Sequence, residues 1–258
     1  MRQVKILINI IKLLFKLNLL KTLYFNFKFL PVRVAYRLPF HFYGRVVFDN
    51  LSGKVIFKAS TLSTGMVKFG GNHELIYASK EPTRIYISGT LEISEFCVFA
   101  KATNLMVWDG AYLKIGSRFS MGSFSKLIAF REINIDNDVL VSWECQIFDT
   151  DFHFLVNVKD GSVNDNCGKI HIESGVWLGS RVTLQKSVYL PANTVVATNS
   201  VCVKDYRGHE NENIVIAGSP AKVVKTGFEY LKDKRQEMYL YTYFNNSEDR
   251  KIILTEVS

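Results

Sequence analysis

The sequence predicts a mainly β protein built as a parallel β-helix, a coil of short stacked strands. Alternate side chains of a strand face the same way, and pairs with this spacing of two recur every six residues. A six-residue period indicates that a short strand and a turn repeat without slippage, as in β-helices. Gly218 and Pro220 end the repeat. The pairs in residues 168–225 are Ile170/Ile172, Val176/Leu178, Val182/Leu184, Val188/Leu190, Thr194/Val196 and Ser200/Cys202.

The composition agrees with an ordered globular chain. Its 258 residues, 48% hydrophobic and 22% charged, are enough to form a large core. The four cysteines contain no Cys-x-x-Cys pair, so a disulfide framework is not expected and a reducing cytoplasm fits the chain. Cys145 and Cys202 fall on repeat positions, where a thiol behaves as a small core side chain.

Positive charge is concentrated at the N-terminus. Nine lysines and arginines precede Asp49, the first acidic residue, whereas the rest of the chain is close to neutral despite the overall charge of +8. These bases alternate with apolar residues and have no base-stacking motif around them. The pattern therefore disfavours nucleic-acid binding.

Residues 1–23 predict an amphipathic helix with one narrow polar face. The longest uncharged run, residues 6–11, is too short to cross a bilayer, and no small-residue cleavage site follows, which disfavours a secretory signal. Two interpretations stay open. The helix lies on an anionic inner leaflet as a peripheral contact, or it caps the coil or packs in an oligomer. Residues 1–50 are expected to hold this helix and a connecting segment.

The β-helix domain is predicted over residues 51–225, with the period continuing faintly upstream of the first stretch described. Two shifts in phase indicate short insertions at coil corners, which do not disturb the stacked strands. Three six-residue units make one turn in the family that the motifs described below resemble, which implies about seven coils over residues 54–203. The upstream pairs are Val55/Phe57, Thr61/Ser63, Val67/Phe69, Ile85/Ile87, Leu91/Ile93, Cys97/Phe99, Thr103/Leu105, Leu113/Ile115, Phe119/Met121, Ser125/Leu127, Ile133/Ile135, Val139/Val141 and Cys145/Ile147.

Two segments interrupt or follow this coil. Residues 148–169 have no apolar repeat and predict a long loop, where function usually resides on a regular scaffold. Residues 204–213 predict a surface loop. Residues 228–244, within a C-terminal segment 226–258, predict a helix that caps the open sheet edge of the last coil.

Three motifs resemble the hexapeptide-repeat acyltransferases: Gly-Val-Trp-Leu-Gly-Ser at 175–180, Gly-x-Pro-Ala-Lys at 218–222, and His153 on a long insertion. The Asp-Thr-Asp-Phe-His run at 149–153 is similar to that of sugar and polysaccharide O-acetyltransferases. The resemblance implies a left-handed parallel β-helix, acetyl-CoA or a related thioester as acyl donor, a carbohydrate acceptor, and a homotrimer with sites between neighbouring coils.

The resemblance makes His153 the candidate general base. A neutral imidazole suits removal of a hydroxyl proton near pH 7. Its position after Asp149 and Asp151 would let a carboxylate or a carbonyl hold the ring, and Asp151 is also a candidate for contact with the acceptor. Trp177 points outward and is either a packing residue between subunits or a wall of the acyl and acceptor pocket, two roles that are compatible at a subunit boundary. Trp143 is expected on a sugar-stacking surface.

The donor is expected along one edge of the coil. By resemblance, Gly179, Ala197 and Thr198 lie on this edge, where small residues admit the donor's apolar arm. Its phosphates are expected to meet lysines at or after the last coil, and an N–H near Gly179 is a candidate oxyanion donor. Direct transfer without an acyl-enzyme is predicted, since Cys167 has no evident activating partner. The lysines are Lys204, Lys222 and Lys225.

Other functions remain alternatives to an O-acetyltransferase for a cell-surface polysaccharide or its precursor. An N-acetyltransferase of a nucleotide-linked amino sugar would use the same base and cofactor edge. A zinc hydrolyase of the carbonic anhydrase type needs three converging imidazoles, yet no two histidines are closer than 18 residues, so no metal is expected. A scaffold without enzymatic activity is the third alternative. The remaining histidines, His41, His73, His171 and His209, lack the setting of His153.

Overall fold

The computed structural model, which describes residues 17–71 and 80–254, is a three-sided parallel β-helix. Strands are numbered β1–β22 in chain order. Each coil contributes one strand to each of three sheets, and equivalent strands of successive coils pair in parallel. Six coils have strands in all three sheets, and a seventh has two.

The first sheet contains β1 (Phe40–Phe42), β4 (Val67–Gly71), β7 (Cys97–Ala100), β10 (Ser120–Met121), β13 (Leu140–Val141), β16 (Trp177–Leu178), β19 (Val195–Val196), β21 (Val215–Gly218) and β22 (Ala221–Lys225). The second contains β2 (Val46–Asn50), β5 (Thr83–Ile87), β8 (Asn104–Val107), β11 (Lys126–Ala129), β14 (Gln146–Phe148), β17 (Thr183–Leu184) and β20 (Val201–Cys202). The third contains β3 (Lys54–Lys58), β6 (Thr90–Ser94), β9 (Tyr112–Ile115), β12 (Glu132–Ile135), β15 (Ile170–Ile172) and β18 (Tyr189–Leu190). The helices are α1 (Leu19–Phe29), α2 (Val32–Ala35), α3 (Lys234–Asn246) and a 3₁₀ turn (Arg207–His209).

The predicted repeat pairs line the interior of the coil. Every pair from Val67/Phe69 to Ser200/Cys202 is buried, which confirms the phase assigned to each stretch. The prediction that Thr61 and Ser63 form an interior pair is wrong, because both residues lie in an exposed connection between β3 and β4. Both shifts in phase fall where the chain passes from the second sheet to the third. The strands of the second sheet that precede these corners, β8 and β11, have four residues, whereas β17 in a later coil of the same sheet has two.

The coil begins at Phe40, before the predicted boundary at residue 51. The outer edge of β1 would expose backbone groups, and α1 covers it with polar side chains. Asn26 donates from Nδ2 to the Phe40 carbonyl at 2.7 Å and accepts from the Phe40 N–H at 3.1 Å. Thr22 Oγ1 accepts from the N–H of Phe42 at 3.2 Å. Most of the predicted helix, residues 1–16, lies outside the described residues, whereas α1 continues beyond its predicted end.

The other end of the coil is covered differently from the prediction. The predicted C-terminal helix is present as α3, but none of its residues is buried. Instead β22 pairs antiparallel with β21 and covers the edge of the first sheet, so the helix is not needed there. The segment before α3 returns along the coil, where the Tyr230 hydroxyl donates to the Asp138 carbonyl at 3.2 Å. No described helix is long and apolar enough to cross a membrane.

Replacing Asn26 by leucine is expected to lower the free energy of unfolding by about 2–4 kcal/mol, because the N–H and C=O of Phe40 would both lose their partner inside the protein. The matched control is Asn246→Leu in α3. Asn246 makes the same bond to the carbonyl four residues earlier, but it is exposed, and its loss should change stability by less than about 0.5 kcal/mol. Urea unfolding measures both, and equal effects would contradict the role of Asn26.

Candidate functional site

A long insertion leaves the coil after β14 and returns before β15. We call residues 150–167 the arm. At its base, the fully buried carboxylate of Asp149 accepts hydrogen bonds from the backbone N–H groups of Phe130, Arg131 and Glu132 at 2.7–2.8 Å. Thr150 bridges Cys167, so the two ends of the arm lie side by side. The arm is therefore anchored to the coil at a defined place.

His153 lies on this arm and is exposed. Its backbone N–H donates to the carbonyl of Asp151 at 2.8 Å, and its ring makes no hydrogen bond or ion pair with another described residue. The expected support of the ring by a carboxylate is not found among the residues that the structure describes. Asp149 is occupied by three backbone N–H groups, and Asp151 forms an ion pair with Lys186 at 2.6 Å. The imidazole is free to meet a ligand.

A column of aromatic rings runs up the coil edge between the second and third sheets to the base of the arm. Trp108 stacks on Tyr86 and on Phe130, with ring centroids 5.4 and 5.1 Å apart. Phe152, next to His153, contacts Phe130 edge-on at 5.5 Å. The four rings are 22 residues apart in the sequence. Sequence reasoning missed this column, although the period of 22 was a readable signal.

The residues predicted to bind the donor lie around a different edge, between the first and second sheets. Trp177 points outward from β16 and donates from Nε1 to Ser142 Oγ at 3.2 Å. The centroid of its ring lies 6.1 Å from that of the Tyr230 ring. Trp143 follows β13, one coil earlier, and its carbonyl accepts from the Arg181 N–H at 3.0 Å. The contact with Tyr230 had no sequence signal that we recognised.

Gly179 follows β16, and Ala197 and Thr198 follow β19 one coil later, so the three residues lie along this edge. The structure shows a packing role for Gly179, because a Cβ at this position would lie 2.8 Å from the backbone nitrogen of Thr198 in the next coil. The glycine thus allows two coils to approach. Its N–H donates to the Val196 carbonyl at 2.8 Å, so this amide is not available as an oxyanion donor. Thr198 is exposed.

The three predicted lysines are exposed at the C-terminal end of the coil, but on two separate elements. Lys204 follows β20 and its Nζ lies 5.2 Å from the ring centroid of Tyr206. Lys222 and Lys225 are on β22, with Lys225 Nζ 5.4 Å from the ring centroid of Phe228. None of the three forms an ion pair with a described residue, so all are available to an anionic group.

The candidate residues are therefore divided between two edges of one chain. His153 is beside the aromatic column, between the second and third sheets. Trp143, Gly179 and Thr198 follow strands of the first sheet, on the other side of the second sheet. The fold does not bring the predicted base into contact with the predicted donor edge within a single chain.

The other histidines and the buried cysteines do not form a second site among the described residues. Burial raises the pKa of Cys145 to about 11 and that of Cys202 to about 12, which keeps both thiols protonated and unreactive. His171 pairs with Asp136 and His209 with Glu212. Burial also lowers the pKa of His41, and His73 lies outside the described residues. The described part of the chain contains no group of side chains that could hold a metal ion.

Comparison with known proteins agrees with the fold. No family model matches the sequence. A 24.8 kDa protein in the cps region of Klebsiella pneumoniae is 27% identical over 201 residues, 77% of this chain and 84% of its own length. The polySia-specific acetyltransferase NeuO aligns over 81% of this chain and 95% of its own, with a TM-score of 0.54 and 18% identity. The polysialic acid O-acetyltransferase OatWY aligns over 76% and 97%, with a TM-score of 0.43 and 21% identity. The likeness to NeuO confirms the predicted fold, the left-handed parallel β-helix of hexapeptide-repeat proteins.

In the native protein, a maleimide reagent at pH 7.5 should modify Cys167 and spare Cys97, Cys145 and Cys202. Only Cys167 is partly exposed, and burial raises the pKa of the other three thiols. Mass spectrometry of digested, labelled protein measures the sites. In guanidinium chloride all four should react, which is the control. Native labelling of Cys145 or Cys202 would show that the coil interior is open to solvent.

Proposed function

We propose that this protein is an acetyl-CoA-dependent O-acetyltransferase that acts on a sugar hydroxyl of a cell-surface polysaccharide or its precursor. One observation carries the proposal: the arm holds the exposed imidazole of His153, which has no partner among the described residues, beside a β-helix of the acetyltransferase type. The relative in the cps region and the polySia-specific enzyme NeuO favour a polysaccharide acceptor. The cytoplasm, where free buried cysteines persist, is the proposed compartment.

In the proposed reaction, the acceptor hydroxyl attacks the thioester carbonyl while Nδ1 or Nε2 of His153 accepts its proton. The C–O bond forms, the C–S bond breaks, and the departing thiolate takes the proton back from the imidazolium. Such proton transfer typically contributes about 10²–10⁴ in rate. The buried, protonated thiols of Cys145 and Cys202 make a covalent acyl-enzyme an unsuitable alternative. Trp143 and Asp151 are the proposed contacts for the acceptor.

The donor would lie along the edge formed by Trp177, Gly179, Ala197 and Thr198. Exposed Thr198 and the close approach of two coils at Gly179 leave a narrow, small-residue edge for an extended chain. The lysines at the C-terminal end, Lys204, Lys222 and Lys225, have no acidic partner in the described part of the chain and suit the phosphates of CoA. These residues fit a donor whose two ends are a thioester and a polyanion.

The separation of the two edges supports a homotrimer with sites between protomers. In a cyclic assembly, the edge with the arm of one chain can face the donor edge of the next. Each complete site would then take His153 from one protomer and Trp177 from its neighbour. This arrangement explains why neither group completes a site within its own chain.

Replacing His153 by alanine should lower kcat/KM for acetyl transfer by about 10²–10⁴ without altering the folding transition. The control is His209→Ala, a partly exposed histidine paired with Glu212 away from the arm, which should retain activity. Release of CoA thiol is measured with acetyl-CoA and a panel of polysaccharides, oligosaccharides and nucleotide-linked amino sugars. Full activity of His153→Ala would remove the assigned base, and activity with amino sugars alone would favour N-acetylation.

Two inactive variants should complement each other if the site lies between protomers. Co-expressed His153→Ala and Trp177→Ala chains would form about a quarter of their interfaces with both residues intact, because each interface takes one residue from each neighbour. Activity should recover to a similar fraction of the wild type. The control is the double variant co-expressed with either single variant, which can form no intact site. An absence of recovery from co-assembled chains would show that both residues act in the same chain, and a stable, active monomer in sedimentation would contradict the trimer.

A further inference from the structure

Helix α1 presents an apolar stripe to solvent. Its exposed large residues occupy one face, because at 3.6 residues per turn their positions fall within an arc of about 140°. The exposed fraction reaches 81% for Leu20 and 55% for Tyr24. The members of the stripe are Leu19, Leu20, Leu23, Tyr24 and Phe27.

The buried face of the same helix is the more polar one. Thr22 and Asn26 are fully buried beside Phe25 and are used to satisfy the backbone of β1. A surface helix of a globular protein normally has the opposite arrangement, with apolar residues inward and polar residues outward. The demands of the β1 edge explain the inner face. They do not explain why the outer face is leucine, tyrosine and phenylalanine.

The stripe continues onto α2. Val32 is 61% exposed and Tyr36 is 73% exposed. Tyr36 contacts Phe27 edge-on with ring centroids 5.4 Å apart, which joins the two helices into one apolar surface. We call the stripe of α1 together with Val32 and Tyr36 the cap surface. It forms the N-terminal end of the coil, since α1 covers β1.

The part of the chain that forms the cap surface is strongly basic. Its lysines and arginines form no ion pair with a described residue, whereas Asp49, which lines a groove with Leu20 and Tyr24, is the first acid of the sequence and pairs with Arg84. A second copy docked by two-fold symmetry would set the like charges against each other, whereas anionic headgroups would neutralise them. The basic residues of α1, α2 and the turns that follow them are Lys21, Lys28, Arg33, Arg37 and Arg45.

We infer that the cap surface is a membrane-docking surface, which places its leucine, tyrosine and phenylalanine side chains among the headgroups and upper acyl chains of an anionic bilayer. Interfacial helices combine such an apolar face with lysine and arginine at its borders and enter about 5–10 Å into the bilayer. The axis of the coil would then rise from the membrane, because the cap surface is at the end of the stack. This inference does not rest on the proposed catalytic activity.

Sedimentation of the full-length protein with vesicles tests the inference. The wild type should bind vesicles that contain phosphatidylglycerol, bind less as salt rises, and bind vesicles of phosphatidylcholine alone weakly. The triple variant Leu20→Ser, Tyr24→Ser, Phe27→Ser should bind the anionic vesicles at least about tenfold more weakly, because three apolar side chains no longer leave water. These side chains are exposed, so its thermal unfolding should match that of the wild type.

The matched control is Met238→Ser, Tyr241→Ser, which removes two equally exposed apolar residues from α3 and should leave vesicle binding unchanged. The charge variant Lys28→Glu, Arg33→Glu should weaken binding to anionic vesicles only. The inference is overturned if the wild type does not bind, or if the triple variant binds as well as the wild type. It is equally overturned if the triple variant changes the mass of the assembly in analytical ultracentrifugation and not its vesicle binding, since the cap surface would then be a protein interface.

Discussion

Hydrogen bonding between successive coils is the interaction on which the remainder of this structure depends. Many strands of the later coils have only two residues, too few to be stable in isolation. Most of them persist because they pair in register with the coil on either side, as β16 does with β13 and β19, whereas β18, at the end of the third sheet, pairs with β15 alone among the described strands. The same register aligns the small and β-branched side chains that fill the interior. The position of every edge, corner and insertion follows from it.

The six-residue period was sufficient to predict this scaffold, because burial at alternate positions leaves a direct mark on side-chain type. It failed where another constraint replaced it. Phe40 and Phe42 lie under α1, so aromatic rings stand where small residues would be expected. Thr61 and Ser63 have the spacing of an interior pair, but they lie in an exposed connection between two strands. The aromatic column followed a period of 22, which a search tuned to six does not detect.

The sequence singled out candidate residues for the site but not their arrangement. His153 could be singled out because it interrupts a regular repeat. The partners of Asp149 could not, because three N–H groups converge only once the corner at residues 130–132 has formed. Likewise, the role of Gly179 depends on the separation between two coils. The division of the site between two edges is a property of the three-sided cross-section, which local sequence does not encode.

The stacking of coils also fixes the height of each coil above the first one. Adjacent strands of a sheet are separated by about 4.8 Å, so the four steps from β1 to β13 raise the coil that carries the arm by roughly 19 Å above the first coil. Under the two proposals above, with the cap surface on a bilayer and His153 as the base, the arm would leave the coil at this height, which would favour glycan residues at a similar distance from the bilayer. Insertion or deletion of whole coils before β13 would change the reach in steps of about 4.8 Å and leave the reacting groups unaltered.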